Sequence, residues 1–358
     1  MSDVVRTVVQ RTIEIAQVPA PTGHEEARAA VVRSWWERDR LDEVHADPTG
    51  NVWGRVRGGD GPVVIVGAHL DTVFGTDVPH RVEVDGERLI GPSVGDDSVG
   101  LAALSTAGAS LPVDGIPVWL VATVGEEGLG NLRGARAALE GPPAPVGAFI
   151  AVEGNYLGRV STVGVGSIRR RVTVHGPGGH AWEAGQVPSA VHAVGQLVAS
   201  ISAIPPRPGT AVNVGRIGGG EGINMRGRDA WLELDLRADA SDALEEVARV
   251  VDRFVAAVEP PLVVEQETLG ERPAGGVDPG HALVRAAMEA LGEVGKAVVS
   301  PASSTDANAA HALGIPSIAV GVTTGSGEHT SQEWIETTPI DEGVRALART
   351  VERYEELS

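Results

Sequence analysis

Four short, largely β-branched runs, separated by segments with helical spacing, constrain the fold of this chain more than any other sequence feature. The runs lie at 62–67, 116–124, 148–152 and 317–322. Each is apolar on both faces, as expected for strands of a parallel sheet that is covered on both sides. Helical spacing of apolar residues appears at 99–111, 131–139 and 307–313. Strands that alternate with helices predict an α/β fold with a mostly parallel sheet.

The middle of the chain shows a different pattern. Between residues 167 and 270 the order of predicted elements is strand, helix, two strands, helix, strand, which is the order of a ferredoxin-like, split βαβ unit. A chain of 358 residues is long enough for two domains. We therefore expect an α+β insertion at 167–270 within an α/β domain formed by 1–166 and 271–358.

Composition excludes several classes of function. The chain has no cysteine, which removes disulfides, thiol nucleophiles and thiolate metal sites. A formal net charge of −19 without a basic cluster argues against a nucleic-acid partner. No apolar run reaches the roughly 18 residues of a membrane span, and the N-terminus lacks the pattern of a secretory signal. We expect a cytoplasmic, globular enzyme or binding protein without a membrane partner.

Acidic and imidazole side chains follow the predicted strands at their carboxyl ends. They are His69 and Asp71, Asp96 and Asp97, Glu126 and Glu127, Glu153 and His329. Each has an ordinary explanation when taken alone: a strand-end hydrogen bond, a helix cap or a polar loop. Together they converge, because the carboxyl ends of parallel strands meet at one edge of a sheet.

At these strand ends, His, Asp, Glu, Glu and His could together bind metal ions. They offer nitrogen and oxygen donors and no sulfur. This chemistry favours zinc, with cobalt or manganese as substitutes. Five protein ligands exceed the three of a usual mononuclear catalytic zinc site. That number fits two ions that share one carboxylate and one water.

The order of the motifs resembles that of the co-catalytic zinc metallopeptidases and deacylases. That family includes acetylornithine deacetylase, succinyl-diaminopimelate desuccinylase, aminoacylase, peptidase T and glutamate carboxypeptidase. The resemblance covers His-x-Asp, Gly-Asp-Asp, Glu-Glu, Glu-Gly, Gly-Gly-His and a late His, in family order along nearly the whole chain. It implies a zinc-exopeptidase-like catalytic domain, and an inserted lid or dimerisation domain through which two copies form a homodimer.

The resemblance also implies a role for each site residue. The implied metal ligands are His69 and Glu153 for one Zn²⁺, Glu127 and His329 for the other, and Asp96 as the bridge. Asp97 then occupies a position that is not a ligand. Asp71 resembles the residue that orients His69. Glu126 resembles the general base, which takes a proton from the metal-bridging water and passes it to the leaving amine.

Residues of the predicted insertion are implied to contact the substrate. His180 resembles a lid histidine that donates to the tetrahedral oxyanion, often across a dimer interface, although alone it would read as a loop histidine. Asn224 resembles a substrate-contacting Asn. Arg237 and Arg272 could each hold a substrate carboxylate by a bidentate pair or form a structural ion pair. Trp182 could face the substrate or pack within the insertion.

These residues indicate metal-dependent hydrolysis of an amide bond in a small peptide or an N-acyl amino acid. Glu at 153 fits the deacylase-like and carboxypeptidase-like members, whereas the surrounding sequence is closer to the peptidase-like branch. A dedicated biosynthetic deacylase and a catalytically silent, ligand-binding relative remain alternatives. An intact Glu126 argues against the silent relative. Asp306 precedes a predicted helix, and capping is sufficient to explain it.

Overall fold

The computed structural model describes all 358 residues, and it divides the chain into two compact units. The first unit combines Met1–Gly164 with Gly276–Ser358, and the second is Val165–Gly275. The predicted insertion, 167–270, lies within the second unit. No helix of the chain combines the length and the hydropathy that crossing a membrane requires.

Helices and strands are numbered here in chain order. The helices are α1 (Asp3–Ala16), α2 (Glu26–Arg38), α3 (Val99–Gly108), α4 (Arg133–Glu140), α5 (Ala190–Ser202), α6 (Ser241–Ala256), α7 (Ala282–Glu293), α8 (Ala307–Ala312) and α9 (Ile340–Leu357). The strands are β1 (Asp42–Ala46), β2 (Val52–Arg57), β3 (Val63–His69), β4 (Glu83–Asp85), β5 (Arg88–Ile90), β6 (Val118–Thr123), β7 (Val146–Val152), β8 (Val163–Gly164), β9 (Gly166–His175), β10 (Thr210–Gly219), β11 (Asp229–Ala238), β12 (Val263–Arg272), β13 (Gly275–Gly276), β14 (Ser317–Val320), β15 (Gly325–Ser326) and β16 (Trp334–Glu336).

The main sheet of the first unit has the strand order β1-β2-β6-β3-β7-β14. The four strands from β6 to β14 run parallel to one another, which confirms the predicted α/β fold with a mostly parallel sheet. β1 and β2 extend the sheet with antiparallel pairs. They were not predicted from sequence, since β1 is mostly exposed and has no apolar run.

Successive residues of β3 pack into two separate cores, one on each face of the sheet. Val64 and Val66 belong to the core that contains residues of α1, α2, α3, α7 and α9. Val63 and Ile65 belong to a second core, with residues of α4 and α8. All seven residues of β3 are buried, because side chains alternate between two covered faces. This burial explains the continuous apolar run in the sequence and fixes the carboxyl end of the strand.

The second unit has a four-stranded antiparallel sheet in the order β10-β11-β9-β12. Alternate residues of β11 are buried, and Leu232, Leu234 and Leu236 pack with residues of α5 and α6 in one core. The chain order strand, helix, two strands, helix, strand confirms the predicted split βαβ insertion. The covered face of the sheet explains its period-two hydrophobic pattern.

A small sheet in the first unit has the order β15-β16-β5-β4. It was not predicted, since its strands are only two or three residues long. The segment between β15 and β16 contains His329. The small sheet thus determines where that segment begins and ends.

Candidate metal centre

Ends of the parallel strands carry most of the predicted ligands. His69 is the last residue of β3, and Glu153 directly follows β7. Glu127 lies in the loop after β6, and Asp96 lies in a tight turn, Val94–Ser98, before α3. His329 has a left-handed backbone, with φ of 64°, which is uncommon for a residue other than glycine and is often found at functional sites.

The structure brings the five predicted ligands together in two groups that share Asp96. One group is His69, Asp96 and Glu153, and the other is Asp96, Glu127 and His329. Within each group, the possible ligand atoms all lie within 4.8 Å of one another. A third group of this kind joins Glu126 to His69 and Glu127. Glu126 therefore lies beside the predicted ligands.

The two carboxylate oxygens of Asp96 face different histidines. Its Oδ1 lies 2.8 Å from Nε2 of His69, and its Oδ2 lies 3.2 Å from Nε2 of His329. Nε2 of His329 is also 3.2 Å from Oε1 of Glu127. A carboxylate in this position can bridge two cations, because each oxygen belongs to a different donor group.

The electrostatics of the centre fit divalent cations. Burial raises the pKa of Glu153 well above its ordinary value. Burial by itself lowers the pKa of His69, but the Asp71 and Asp96 carboxylates outweigh it and raise that pKa well above normal. Asp96 and Glu127 raise the pKa of His329 to about 10. Clustered carboxylates are costly without a nearby positive charge, so these shifts fit a centre that holds cations.

Asp71 holds His69 and the Glu126–Glu127 loop through different atoms. Nδ1 of His69 donates to the backbone carbonyl of Asp71 at 3.0 Å, whereas the nearest carboxylate oxygen is 3.6 Å away. The carboxylate accepts instead from the backbone N–H groups of Glu126, at 2.9 Å, and Glu127, at 2.8 Å. Thr22 also donates to it, at 2.8 Å. Nε2 of His69 is consequently left to face Asp96.

Helix capping does not explain the two adjacent aspartates. The start of α3 has no side-chain capping hydrogen bond. Asp97 is completely buried, and it accepts from the backbone N–H of His69 at 3.1 Å and that of Gly154 at 2.9 Å. Asp97 therefore connects the ends of two strands that carry predicted ligands, and it belongs to neither donor group.

Two buried charged residues next to the centre were missed by the sequence analysis. Glu333 accepts three backbone hydrogen bonds from the turn that carries Asp96, and burial raises its pKa to about 8. Arg28, from α2, donates to the carbonyl of Leu70 at 3.3 Å. Burial lowers the pKa of Arg28 to about 10, although nearby carboxylates, Asp71 first among them, oppose that effect. Neither residue belongs to a recognisable motif, because each makes hydrogen bonds to backbone groups far away in the sequence.

The capping explanation for Asp306 is wrong. Its side chain makes no capping hydrogen bond at the start of α8. Instead, its Oδ2 accepts from the hydroxyl of Thr123 at 2.5 Å. Thr123 is the last residue of β6, so Asp306 holds the strand that precedes Glu126 and Glu127.

The predicted substrate-contacting residues all lie in the second unit, whereas every predicted metal ligand lies in the first. His180 and Asn224 are exposed on two loops that pair with each other. The N–H of Ala181 donates to the carbonyl of Asn224, and the N–H of Arg226 donates to that of Gly179, both at 2.8 Å. The structure thus brings His180 and Asn224 to one surface of this unit.

Other side chains of the second unit have different environments. Trp182 is 88% exposed, so packing within its own unit does not explain it. Arg237 donates to the carboxylate of Asp235 at 2.9 Å, as a structural ion pair would. Arg272 is buried at the end of β12.

Comparisons with known proteins agree with this geometry. The model of peptidase family M20/M25/M40 matches residues 65–353. A putative [LysW]-lysine/[LysW]-ornithine hydrolase of Pyrococcus abyssi is 33% identical over 167 residues, which are 46% of this chain and 46% of that protein. A [LysW]-lysine hydrolase of Deinococcus radiodurans is 33% identical over 128 residues, 35% of this chain and 34% of that one. The match therefore spans less than half the length of either curated relative.

Solved structures share the fold over almost the whole chain. A tripeptidase of Staphylococcus aureus has a TM-score of 0.82 at 19% identity and covers 98% of this chain and 99% of its own. The aminopeptidase PepT of Bacillus cereus has a TM-score of 0.80 at 20% identity, with 98% of both chains covered. Because the family model spans most of the sequence, the chain belongs to peptidase family M20/M25/M40.

Proposed function

We propose that the protein hydrolyses the amide bond of a small peptide or N-acyl amino acid with two Zn²⁺ ions per subunit and Glu126 as general base. The observation that carries the proposal is the position of Asp96, whose two oxygens face His69 and His329 in two separate donor groups. A carboxylate shared in this way suits a pair of ions better than a single one.

Each ion has its own ligands. His69 and Glu153 would hold one, Glu127 and His329 would hold the other, and Asp96 would contribute to both. The donors are nitrogen and oxygen only, so Co²⁺ or Mn²⁺ can substitute for zinc. Two bound ions would lower the pKa of the attacking water and polarise the scissile carbonyl.

Glu126 moves the proton. Its backbone N–H is fixed by Asp71 at 2.9 Å, and its side chain is 4% exposed beside His69 and Glu127. Adjacent residues project in different directions, so Glu127 can hold an ion while the Glu126 carboxylate stays available to the attacking water. Glu126 takes the proton from that water and delivers it to the leaving amine.

Residues of the insertion bind the rest of the substrate. His180 donates a hydrogen bond to the oxyanion, and Asn224 contacts the substrate from the paired loop. One of Arg237 and Arg272 holds a substrate carboxylate by a bidentate pair. The hydrogen bonds between the two loops support a common ligand for His180 and Asn224.

The protein forms a homodimer through the insertion. β10 is an edge strand of its sheet, and Ile217 on that strand is 59% exposed, which leaves backbone groups and apolar surface for a second copy. Light scattering of the full chain is expected to give the mass of two chains. If the chain is a monomer at working concentration, His180 cannot donate a hydrogen bond across a dimer interface, and that part of the proposal is wrong.

A hydrolase dedicated to one acylated amino acid is the second candidate function. It is favoured by the curated relatives, whose names describe hydrolysis of [LysW]-lysine and [LysW]-ornithine. A silent, ligand-binding relative is disfavoured, since it would need no buried Glu126 beside the ligands.

Metal analysis together with a substrate panel tests the proposal. We expect two zinc equivalents per chain and turnover of a dipeptide or of an N-acetyl or N-succinyl amino acid. A chelator should abolish turnover, and added zinc or cobalt should restore it. Turnover of one acylated amino acid alone would support the dedicated deacylase. Bound metal without turnover of any compound would support the silent relative.

A further inference from the structure

Glu333 is a completely buried carboxylate that hydrogen-bonds to the backbone of the shared ligand Asp96 without being a member of either predicted donor group. Its side chain is 0% exposed, and it belongs to none of the clusters that could hold a metal ion. Its oxygens bond instead to backbone N–H groups of the turn that contains Asp96. We propose that Glu333 is a positioning residue that fixes the shared ligand Asp96 and thereby sets the affinity of the centre for both ions. This inference rests on the proposed dinuclear function.

The hydrogen bonds are short and converge on one carboxylate. Oε1 of Glu333 accepts from the N–H groups of Gly95 and Asp96, each at 2.7 Å. Oε2 accepts from the N–H of Ser93 at 3.0 Å. The turn therefore depends on this side chain for three of its backbone partners.

The local backbone is adapted to this contact. Ser93, whose N–H donates to Glu333, has a left-handed conformation, with φ of 52°. A Cβ atom at position 95 would lie 2.8 Å from Oε1 of Glu333, so Gly95 permits the close approach. A bond to the Asp96 N–H fixes the backbone from which the bridging carboxylate projects.

Glu333 also connects two segments that contribute ligands to the same ion. It lies at the end of the segment that carries His329, directly before β16. Its own carbonyl accepts from the N–H of Gly91 at 2.8 Å. The backbone and side chain of Glu333 thus connect the His329 segment to the Asp96 turn. In this arrangement, Nε2 of His329 lies 3.2 Å from Oδ2 of Asp96.

The test is Glu333→Gln in the full chain, stripped of metal and titrated with Zn²⁺. Glutamine keeps the shape but replaces one acceptor oxygen with an NH₂ group, which would face a backbone N–H. We expect the affinity for both ions to fall about 10- to 100-fold, as is usual when a residue that supports a metal ligand is replaced. The Co²⁺ absorption spectrum should change with it, since the geometry of the shared ligand changes.

The matched control is Glu336→Gln, on β16. The carboxylate of Glu336 pairs with Arg88 at the surface, so we expect wild-type affinities and an unchanged Co²⁺ spectrum. Folding of each variant is checked by circular dichroism without metal. If Glu333→Gln does not fold, Glu333→Asp replaces it in the titration, because the shorter carboxylate keeps two acceptors.

Three results would overturn the inference. The first is a folded Glu333→Gln variant with wild-type affinity for both ions, and the second is a variant with lower affinity for only one of them. The third is failure of both Glu333 variants to fold, which would show that Glu333 is needed for folding rather than for positioning Asp96. The proposed function fails separately: a wild-type chain that binds no divalent metal would contradict it before any variant is made. A wild-type chain that binds two ions and is catalytically active, with an unaffected Glu333→Gln variant, would contradict only the positioning role.

Discussion

Glu126→Gln is expected to lower kcat by about 10² to 10⁴-fold while leaving both ions bound, which is the usual contribution of a general base. Glutamine preserves the size of the side chain, and the backbone hydrogen bond to Asp71 does not involve the substituted group. Only the ability to accept and return a proton is lost. Steady-state kinetics on the best substrate of the panel, with elemental analysis of the same sample, measure both quantities.

The competing role for Glu126 is that of a ligand. Its carboxylate lies within 4.8 Å of possible ligand atoms of His69 and Glu127, so proximity alone does not separate the two roles. Glu127→Gln is the matched comparison and should lower metal occupancy. Loss of metal in Glu126→Gln would show that this carboxylate is a ligand, and wild-type turnover would refute the base assignment.

Asp96→Asn is expected to remove both ions, which is the largest effect on metal binding that one substitution should have. Each oxygen of Asp96 belongs to a different donor group. Asparagine keeps one of these oxygens and replaces the other with an NH₂ group, which is a poor metal ligand. We expect the affinity for each ion to fall by more than the roughly 100-fold limit seen for supporting residues. Zinc titration of metal-free protein measures this loss.

His329→Ala provides the contrast. His329 belongs to one donor group only, so its removal should weaken one ion and spare the other. If Asp96→Asn also retained one ion at wild-type affinity, Asp96 would not be a bridge. The dinuclear proposal would then need a different shared ligand.

The sequence predicts those parts of the molecule that depend on local pattern. The continuous apolar runs identify β3 and β7 because both faces of the main sheet are covered. That burial also places His69 and Glu153 at one sheet edge, since both come at the ends of these strands. β1 was missed because its residues are mostly exposed and an edge strand needs no apolar run.

Residues that act on distant backbone could not be identified in this way. In the sequence, Glu333 looks like a solvated loop acid, and Arg28 looks like one more charge on an amphipathic helix. Their roles arise from contacts with Asp96 and Leu70, which are far away in the chain. Similarly, the spacing of His69 and Asp71 predicted their proximity but not that a carbonyl, rather than the carboxylate, would orient the ring.

The groups that would hold the metals are spread along the polypeptide, from His69 to His329, with the whole insertion between them. During translation, the early strands leave the ribosome long before the segment around His329 exists. A nascent chain therefore cannot assemble the complete proposed centre, and a divalent ion would be captured with full affinity only after synthesis has passed that segment. Metal loading would then be a late step in the maturation of the protein.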